Sequence, residues 1–347
     1  MPDAEGSPRV FEVPDDRDST FCNVGHPRTM EDWLNADRPA ISMHIVAFLD
    51  ATLVTLTVHH ILADALGLVG IYQAWTAILD GRDNDVPPFV GFEEDPLGSL
   101  VEDVPSAQDS HVSPRTVESV VDHMPPAEVG KTVRIPASCI RKLKQQAMKG
   151  LHDQTGDEKL FVSESDVLYA WWARTHVSVV KPPPDQAITL FTVVNFRGHA
   201  EDVLPDGKLF VGNATAMCSA GLTCEQLLER PLWQVARQIR ASVNKLQTKE
   251  GIRSIISGQK RYGTPTGDPP GDIGFPLALT NWHVVFFRCC KSIRTQSLIF
   301  DRVGTKQGFI SWILVVQSCA MGRLQRPKVL DNVARPISIS SHISTAK

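Results

Sequence analysis

The sequence lacks the usual signatures of metal-binding, disulfide-bonded and membrane-spanning proteins. Its 347 residues include seven cysteines, an odd number with no CxxC pair, and no HExxH segment occurs. These absences argue against a zinc site and a disulfide framework, and they predict a reducing, cytoplasmic compartment. No apolar run is long enough to span a membrane, and the acidic, polar residues 1–20 carry no signal-peptide pattern.

An excess of positive charge is missing as well. The chain has 35 Lys and Arg against 39 Asp and Glu, a net charge of −4, which gives no electrostatic reason to expect a nucleic-acid partner. A Gly-rich phosphate-binding loop is also missing, so the sequence points to no phosphate-binding residues. With 42% hydrophobic residues, the chain is long enough for a large core and for two domains.

The most informative stretch is an apolar, β-branched run that ends abruptly at His59 and His60. The runs 41–49 and 52–58 predict two adjacent strands, and their continuous apolar character predicts that both faces of each strand are covered. A helix is predicted over residues 64–79, where apolar residues recur at spacings of three and four. The imidazole of His60 is therefore expected at a strand end, and the carboxylate of Asp64 follows four residues later in the sequence.

Spacing alone leaves two interpretations of these histidines open. A metal pair of His59 and His60 is disfavoured, because neighbouring residues on a strand point to opposite faces. A histidine at a strand end is commonly a buried structural residue, and an HxxxD spacing also occurs by chance. The same spacing suits a general base, because an imidazole titrates near neutral pH.

The segment from Ile41 to Gly81 resembles the catalytic segment of the BAHD acyl-CoA-dependent acyltransferases, particularly the fungal branch related to trichothecene acetyltransferase. The family motif HxxxDxxG falls on His60, Asp64 and Gly67. The doubled histidine also resembles the condensation domains of peptide synthetases, which place a glycine where this chain has Ala65. Both groups belong to the chloramphenicol-acetyltransferase-like superfamily.

Three further segments are similar to elements of the family. An N-F-R sequence ends with Arg197, and the resemblance implies that this arginine pairs with Asp64, a type of pair that can be bidentate and would brace the loop that aims His60. An F-V-G-N sequence resembles the YxGN element and implies that Asn213 lies along the substrate channel. The sequence FPLALTNW resembles a family strand that ends in Thr/Ser-x-Trp, and in the family its threonine lies beside the reaction centre. The resemblance implies that place for Thr280 and, more weakly, a place along the substrate channel for Trp282.

The resemblance implies an α/β (α+β) fold of two chloramphenicol-acetyltransferase-like domains, each with a mixed sheet flanked by helices. The first domain, which carries HxxxD, is expected to be incomplete. In the second domain, a helix is predicted to begin at Ser163 and a strand over 187–195. The predicted division of the chain is residues 1–106 for the first domain, 107–130 for a crossover linker, 131–282 for the second domain and 283–347 for an atypical basic tail.

The sequence departs from the family pattern at both ends. Residues 283–347 carry a charge balance of +8 against −12 for the rest, and the family's D-F-G-W-G motif is not found there. We therefore expect a chain truncated at the front and altered after about residue 282. An inactive or mispredicted gene product is one alternative to a working enzyme, and a condensation-type domain is another.

For a working enzyme, the resemblance implies acyl transfer, with acetyl as the expected group, from acyl-CoA to a hydroxyl or amine of a secondary metabolite. His60 is the implied general base, and Thr280 is a candidate donor to the oxyanion. Asp64, Gly67 and Arg197 would support the site structurally. Acyl-CoA is then a co-substrate, and the expectations include no permanently bound cofactor, no metal, no nucleic-acid or membrane partner, and a monomer.

Overall fold

The computed structural model of the protein describes residues 9–12, 30–47, 52–101, 131–264, 266–269, 274–279, 297–299 and 309–316. Thr280, Trp282 and the predicted linker at 107–130 lie outside the described residues. Among the described residues, no helix is long and apolar enough to cross a membrane, and no group of three or more His, Cys, Asp or Glu side chains is arranged to hold a metal ion.

Strands and helices alternate along much of the described chain. The strands are β1 Arg9–Glu12, β2 Ile41–Ala47, β3 Thr52–His59, β4 Phe89–Val90, β5 Lys131–Arg134, β6 Ala187–Asn195, β7 Leu209–Phe210, β8 Thr215–Thr223, β9 Phe275–Leu279, β10 Ser297–Ile299 and β11 Phe309–Val316. The helices are α1 Met30–Leu34, α2 Ala65–Leu79, α3 Ala137–Thr155, α4 Glu164–Val180, α5 Cys224–Glu229, α6 Leu232–Leu246 and α7 Lys249–Tyr262.

A four-stranded antiparallel sheet carries the two adjacent histidines at the end of its strand β3. Among the described strands the order is β10, β11, β3 and β2, so β3 is interior and β2 lies at an edge of this set. The predicted neighbouring strands are confirmed, since β2 pairs with β3 from Ile41 opposite Val58 to Ala47 opposite Thr52. Strand β11 pairs with the whole of β3, although it belongs to the segment described above as a basic tail.

One face of β3 packs against α2. Val54, Leu56 and Val58 form a buried cluster with Leu68 and Tyr72 of that helix, as expected for a strand covered on this side. The prediction that both strands are covered on both faces is wrong for β2, where Ile41, Met43 and Ile45 are exposed. The difference arises because β2 is an edge strand, and the cluster beneath α2 is built from β3 side chains.

A second, three-stranded sheet has the order β8, β6, β9, with β6 antiparallel to β8 and parallel to β9. The main hydrophobic core lies between this sheet and the helices α3, α4 and α6; its buried side chains include Leu151, Val167, Ala170, Ile188, Leu190 and Ile239. The predicted start of α4 is confirmed by a capping box, in which Ser163 and Asp166 each accept a hydrogen bond from the other's backbone N–H. The predicted strand over 187–195 is confirmed as β6.

Two short strand pairs extend the architecture. Strands β1 and β5 pair antiparallel, and β4 pairs parallel with β7. The second pair matters for the site, because β7 leads directly into the turn at residues 211–214 that contacts the loop after β3. The described structure is thus mixed α/β, which agrees with the predicted fold class, although only the three-stranded sheet is mixed and the four-stranded sheet is antiparallel.

His176 on α4 is buried next to two aromatic rings. Its ring lies 6.0 Å from the Trp172 ring and 5.7 Å from the Phe275 ring, measured between centroids. Within the described part of the chain, its Nε2 has no hydrogen-bond partner. Burial accordingly lowers the pKa of His176 from the ordinary value of 6.5, because the charged form would lose its hydration.

We expect His176 to make folding less stable in acid. Its pKa is lower in the folded than in the unfolded chain, so the unfolded chain binds the proton more readily. The free energy of unfolding should therefore fall as pH drops below about 6.5, the unfolded value. Thermal unfolding midpoints measured from pH 8 to pH 5.5 should fall less steeply in His176→Leu than in the wild type.

The control for this pH series is Val179→Leu, an apolar substitution at an exposed position of the same helix. It should keep the wild-type slope of the midpoint against pH. A slope in His176→Leu as steep as in the wild type would show that other groups account for the acid sensitivity. His59 shifts in the same direction, so some slope should remain in the His176 variant.

Candidate active site

The two adjacent histidines divide between the interior and the surface of the protein. His59, the last residue of β3, is buried, its Nδ1 accepts a hydrogen bond from the Ile61 N–H at 3.1 Å, and its ring lies edge-on to Trp33. Burial, and then the neighbouring His60, lower the pKa of His59. His60 is only half-buried and begins the turn that follows the strand. The half-buried His60, the first residue beyond β3, is thus the more accessible of the two histidines.

Asp64 fixes the end of this turn. It is the N-cap of α2, where its Oδ1 accepts a hydrogen bond from the Gly67 N–H at 2.9 Å. Its Oδ2 accepts from the Ala214 N–H and from Arg197 Nη1, each at 2.8 Å. These three bonds engage both carboxylate oxygens, and the side chain is only 3% exposed. Asp64 therefore ties the loop that carries His60 to a distant part of the chain.

Arg197 is the centre of that distant part. Besides Asp64, its Nη1 donates to Asn195 Oδ1 at 3.0 Å. Its Nε and Nη2 donate to the Phe210 carbonyl at 3.2 and 3.0 Å, and Nη2 also donates to the Gly212 carbonyl at 2.6 Å. Arg197 and Asp64 are therefore in contact, across 133 positions of sequence.

The contact between Arg197 and Asp64 is made by one nitrogen and is not bidentate. Only Nη1 reaches the carboxylate, because the other two nitrogens of the guanidinium hold backbone carbonyls of Phe210 and Gly212. The guanidinium also lies 5.5 Å from the centroid of the Phe210 ring, within the range of a cation–π contact. The arginine thus braces the turn after β7 and the loop after β3 together.

Gly67 is required by the close approach of α2 to this turn. A Cβ built at Gly67 would lie 1.8 Å from the carbonyl oxygen of Val211, far inside contact distance. Gly67 is not among the glycines with a positive φ, so the requirement is space and not an unusual backbone angle. The structural support expected from Gly67 is therefore the close packing of α2 against Val211.

Asn213 lies against the loop that carries His60. Its Nδ2 donates to the carbonyl oxygens of His60 and Ile61, at 2.8 and 2.9 Å. Asn213 was expected along the substrate channel, and its contact with the His60 loop was not predicted from the sequence. The backbone groups of Phe210, Gly212 and Ala214 were also missed, since a backbone acceptor or donor has no residue-type signature. Thr280 and Trp282 are outside the described residues, so their placement beside His60 stays a prediction.

Comparison with known proteins places the chain in a family. The model of the Transferase family matches residues 19–269. Acetyltransferase adrJ of Penicillium roqueforti is 33% identical over 302 residues, covering 82% of this chain and 60% of that protein. Acetyltransferase adrJ of Penicillium rubens is 31% identical over 303 residues, with the same coverage. Among solved structures, F. graminearum TRI101 complexed with coenzyme A and T-2 mycotoxin is similar at 15% identity and a TM-score of 0.49. The alignment covers 81% of this chain and 66% of the TRI101 chain.

The family match extends over well more than half of the chain, so the chain belongs to the Transferase family, that of the BAHD acyltransferases. The resemblance drawn from the sequence is thereby confirmed. The match ends before the segment 283–347 that the sequence analysis set apart. The chain spans about 60% of the length of the curated relatives it matches.

Proposed function

We propose that this protein transfers an acyl group, acetyl in the first instance, from acyl-CoA to a hydroxyl or amine of a secondary metabolite. The observation that carries the proposal is the anchoring of the His60 loop. Asp64, Arg197 and Asn213 hold that loop from both sides while the imidazole of His60 stays accessible. A base held in this way is what general-base catalysis of acyl transfer needs.

In the proposed reaction His60 takes the proton from the acceptor as its oxygen or nitrogen attacks the thioester carbonyl carbon. The tetrahedral intermediate then collapses, the carbon–sulfur bond breaks, and protonated His60 returns the proton to the leaving thiolate. Asp64 acts on the position of the loop, because its carboxylate bonds go to two backbone N–H groups and to Arg197. Thr280 is proposed as a donor to the developing oxyanion.

Two of the seven cysteines, Cys218 and Cys224, bear on whether transfer passes through a covalent acyl-cysteine intermediate. Burial raises the pKa of the Cys218 thiol to about 11 and also raises that of Cys224. A nucleophilic cysteine needs the opposite shift, toward the thiolate at neutral pH. These two thiols are therefore poorly suited to attack a thioester, and His60 remains the group proposed to activate the acceptor.

The matched relatives agree with the proposed chemistry. Both of the reported Penicillium proteins are named acetyltransferases. By analogy we propose acyl-CoA as a co-substrate bound between the two predicted domains, Trp282 beside the acceptor, and a monomeric enzyme. Nothing in this scheme requires a metal or a permanently bound cofactor.

The direct test is thiol release from acetyl-CoA by the purified chain, with a panel of hydroxylated and amine acceptors. We expect one free CoA thiol for each acetylated acceptor found by mass spectrometry. A cooperative thermal transition should first establish that the preparation is folded. A folded protein that releases no thiol above the protein-free rate would contradict the proposal and favour an inactive relative. Transfer from a carrier-bound acyl group alone would favour a condensation-type activity.

A further inference from the structure

The side chain of Asn213 makes an unusual tertiary contact with the loop that carries His60. One amide nitrogen donates to two consecutive carbonyl oxygens, those of His60 and Ile61, at 2.8 and 2.9 Å. The residues it joins are more than 150 positions apart in sequence. The His60 carbonyl belongs to the peptide plane between residues 60 and 61, and the Ile61 carbonyl belongs to the next plane, so the contact restrains the orientation of both planes.

The other contacts of the loop act on either side of His60. Before it, the backbone of β3 is held in the sheet, and the carbonyl and Nδ1 of His59 accept from the N–H groups of Leu62 and Ile61. After it, Asp64 is fixed by its buried bonds to Arg197 and the adjoining backbone. Asn213 donates a tertiary hydrogen bond to the backbone carbonyl of His60 itself. It therefore restrains the backbone of His60 and, through it, the orientation of the imidazole.

Asn213 is an exposed residue, unlike Asp64. Hydrogen bonds that water can replace contribute little to the net free energy of folding. A contact of this kind nevertheless restricts a backbone position, and small displacements of a catalytic group have large effects on rate. Removing the amide should therefore change the position of His60 much more than the stability of the fold.

We propose that Asn213 is a positioning residue that aims the imidazole of His60 through the backbone carbonyls of His60 and Ile61. The proposal rests on the proposed function, in which His60 is the general base. It differs from the channel position expected from sequence, because it assigns the effect of Asn213 to the chemical step and not to substrate binding.

The test compares Asn213→Asp and Asn213→Ala with the wild type. Aspartate has nearly the same shape but only acceptor atoms, so it would face the two carbonyls without a proton to donate. Both variants should lower kcat by about tenfold or more, with KM for acetyl-CoA and acceptor within about twofold, and with thermal midpoints close to the wild type. Asn244→Asp, at an exposed asparagine of α6, is the matched control and should keep wild-type kcat.

A second measurement does not depend on activity. In protein labelled with ¹⁵N-histidine, the ring resonances of His60 are assigned by their loss in His60→Ala. Asn213→Asp should shift these resonances, and Asn244→Asp should leave them unchanged. If the wild type releases no thiol, the proposed function fails, and the shift alone tests the contact. Unchanged His60 resonances, or a raised KM with kcat preserved, would overturn the positioning role.

Discussion

Replacing His60 by alanine should lower kcat for acyl transfer by about 10²–10⁴-fold, the usual contribution of a positioned general base. His60 is half-buried and is the first residue of the turn. The hydrogen bonds that anchor this loop are made by the backbone carbonyl of His60 and by the side chain of Asp64, and not by the imidazole. The substitution therefore leaves those bonds in place, and the thermal midpoint should change little. The measurement is thiol release from acetyl-CoA with an accepted substrate, beside a thermal unfolding curve.

The adjacent histidine offers a matched control for this experiment. His59→Ala makes the same truncation one residue earlier, but it removes a buried ring that packs edge-on against Trp33. Its main effect should be a lower unfolding midpoint, with kcat of the folded protein reduced much less than in His60→Ala. The reverse pattern, a silent but stable His59 variant and an active His60 variant, would assign the base to His59.

The sequence was most informative where neighbouring residues determine the local structure. The β-branched run, the doubled histidine and the Asp64 N-cap define a strand, a turn and a helix without reference to the rest of the chain. In the structure the last residue of that strand, His59, is buried, and His60 in the turn after it is half-buried. These features are local, and the structure follows them closely.

The partners of this local unit could not be derived in the same way. Arg197 was connected to Asp64 only through a resemblance to a family, because a spacing of 133 residues carries no periodic signal. The carbonyls of Phe210 and Gly212 were not anticipated, since every residue type presents the same acceptor. The exposed face of β2 was missed because apolar content alone does not reveal that a strand lies at an edge.

Disrupting the ion pair of Asp64 and Arg197 should lower the free energy of unfolding by about 3 kcal/mol, because it leaves a buried group without its partner. Asp64→Asn is a sensitive probe of this arrangement. Both oxygens of Asp64 now accept hydrogen bonds from N–H donors, so either orientation of an asparagine amide would turn its NH₂ group toward a donor. The loss should appear in urea unfolding, and kcat should fall because the His60 loop loses its anchor.

A double-mutant cycle separates the pair from its surroundings. Combining Asp64→Asn with Arg197→Ala should give a destabilisation smaller than the sum of the single changes, with a coupling of about 1–3 kcal/mol. The second buried ion pair, Asp166 with Arg240, provides the control, since its exposed fractions of 4% and 17% are close to the 3% and 15% of Asp64 and Arg197. Asp166→Asn should destabilise the fold and leave kcat of the folded protein near the wild-type value.

The comparison of the two pairs distinguishes local anchoring from general loosening. If kcat depended only on overall stability, Asp166→Asn and Asp64→Asn would lower kcat equally whenever they lower the free energy of unfolding equally. Anchoring predicts that only the change at Asp64 acts on kcat, since its carboxylate bonds Ala214 and Arg197 beside the loop that carries His60. Strict additivity of Asp64→Asn with Arg197→Ala, or an equal loss of kcat from Asp166→Asn, would contradict the role of this pair as the anchor of His60.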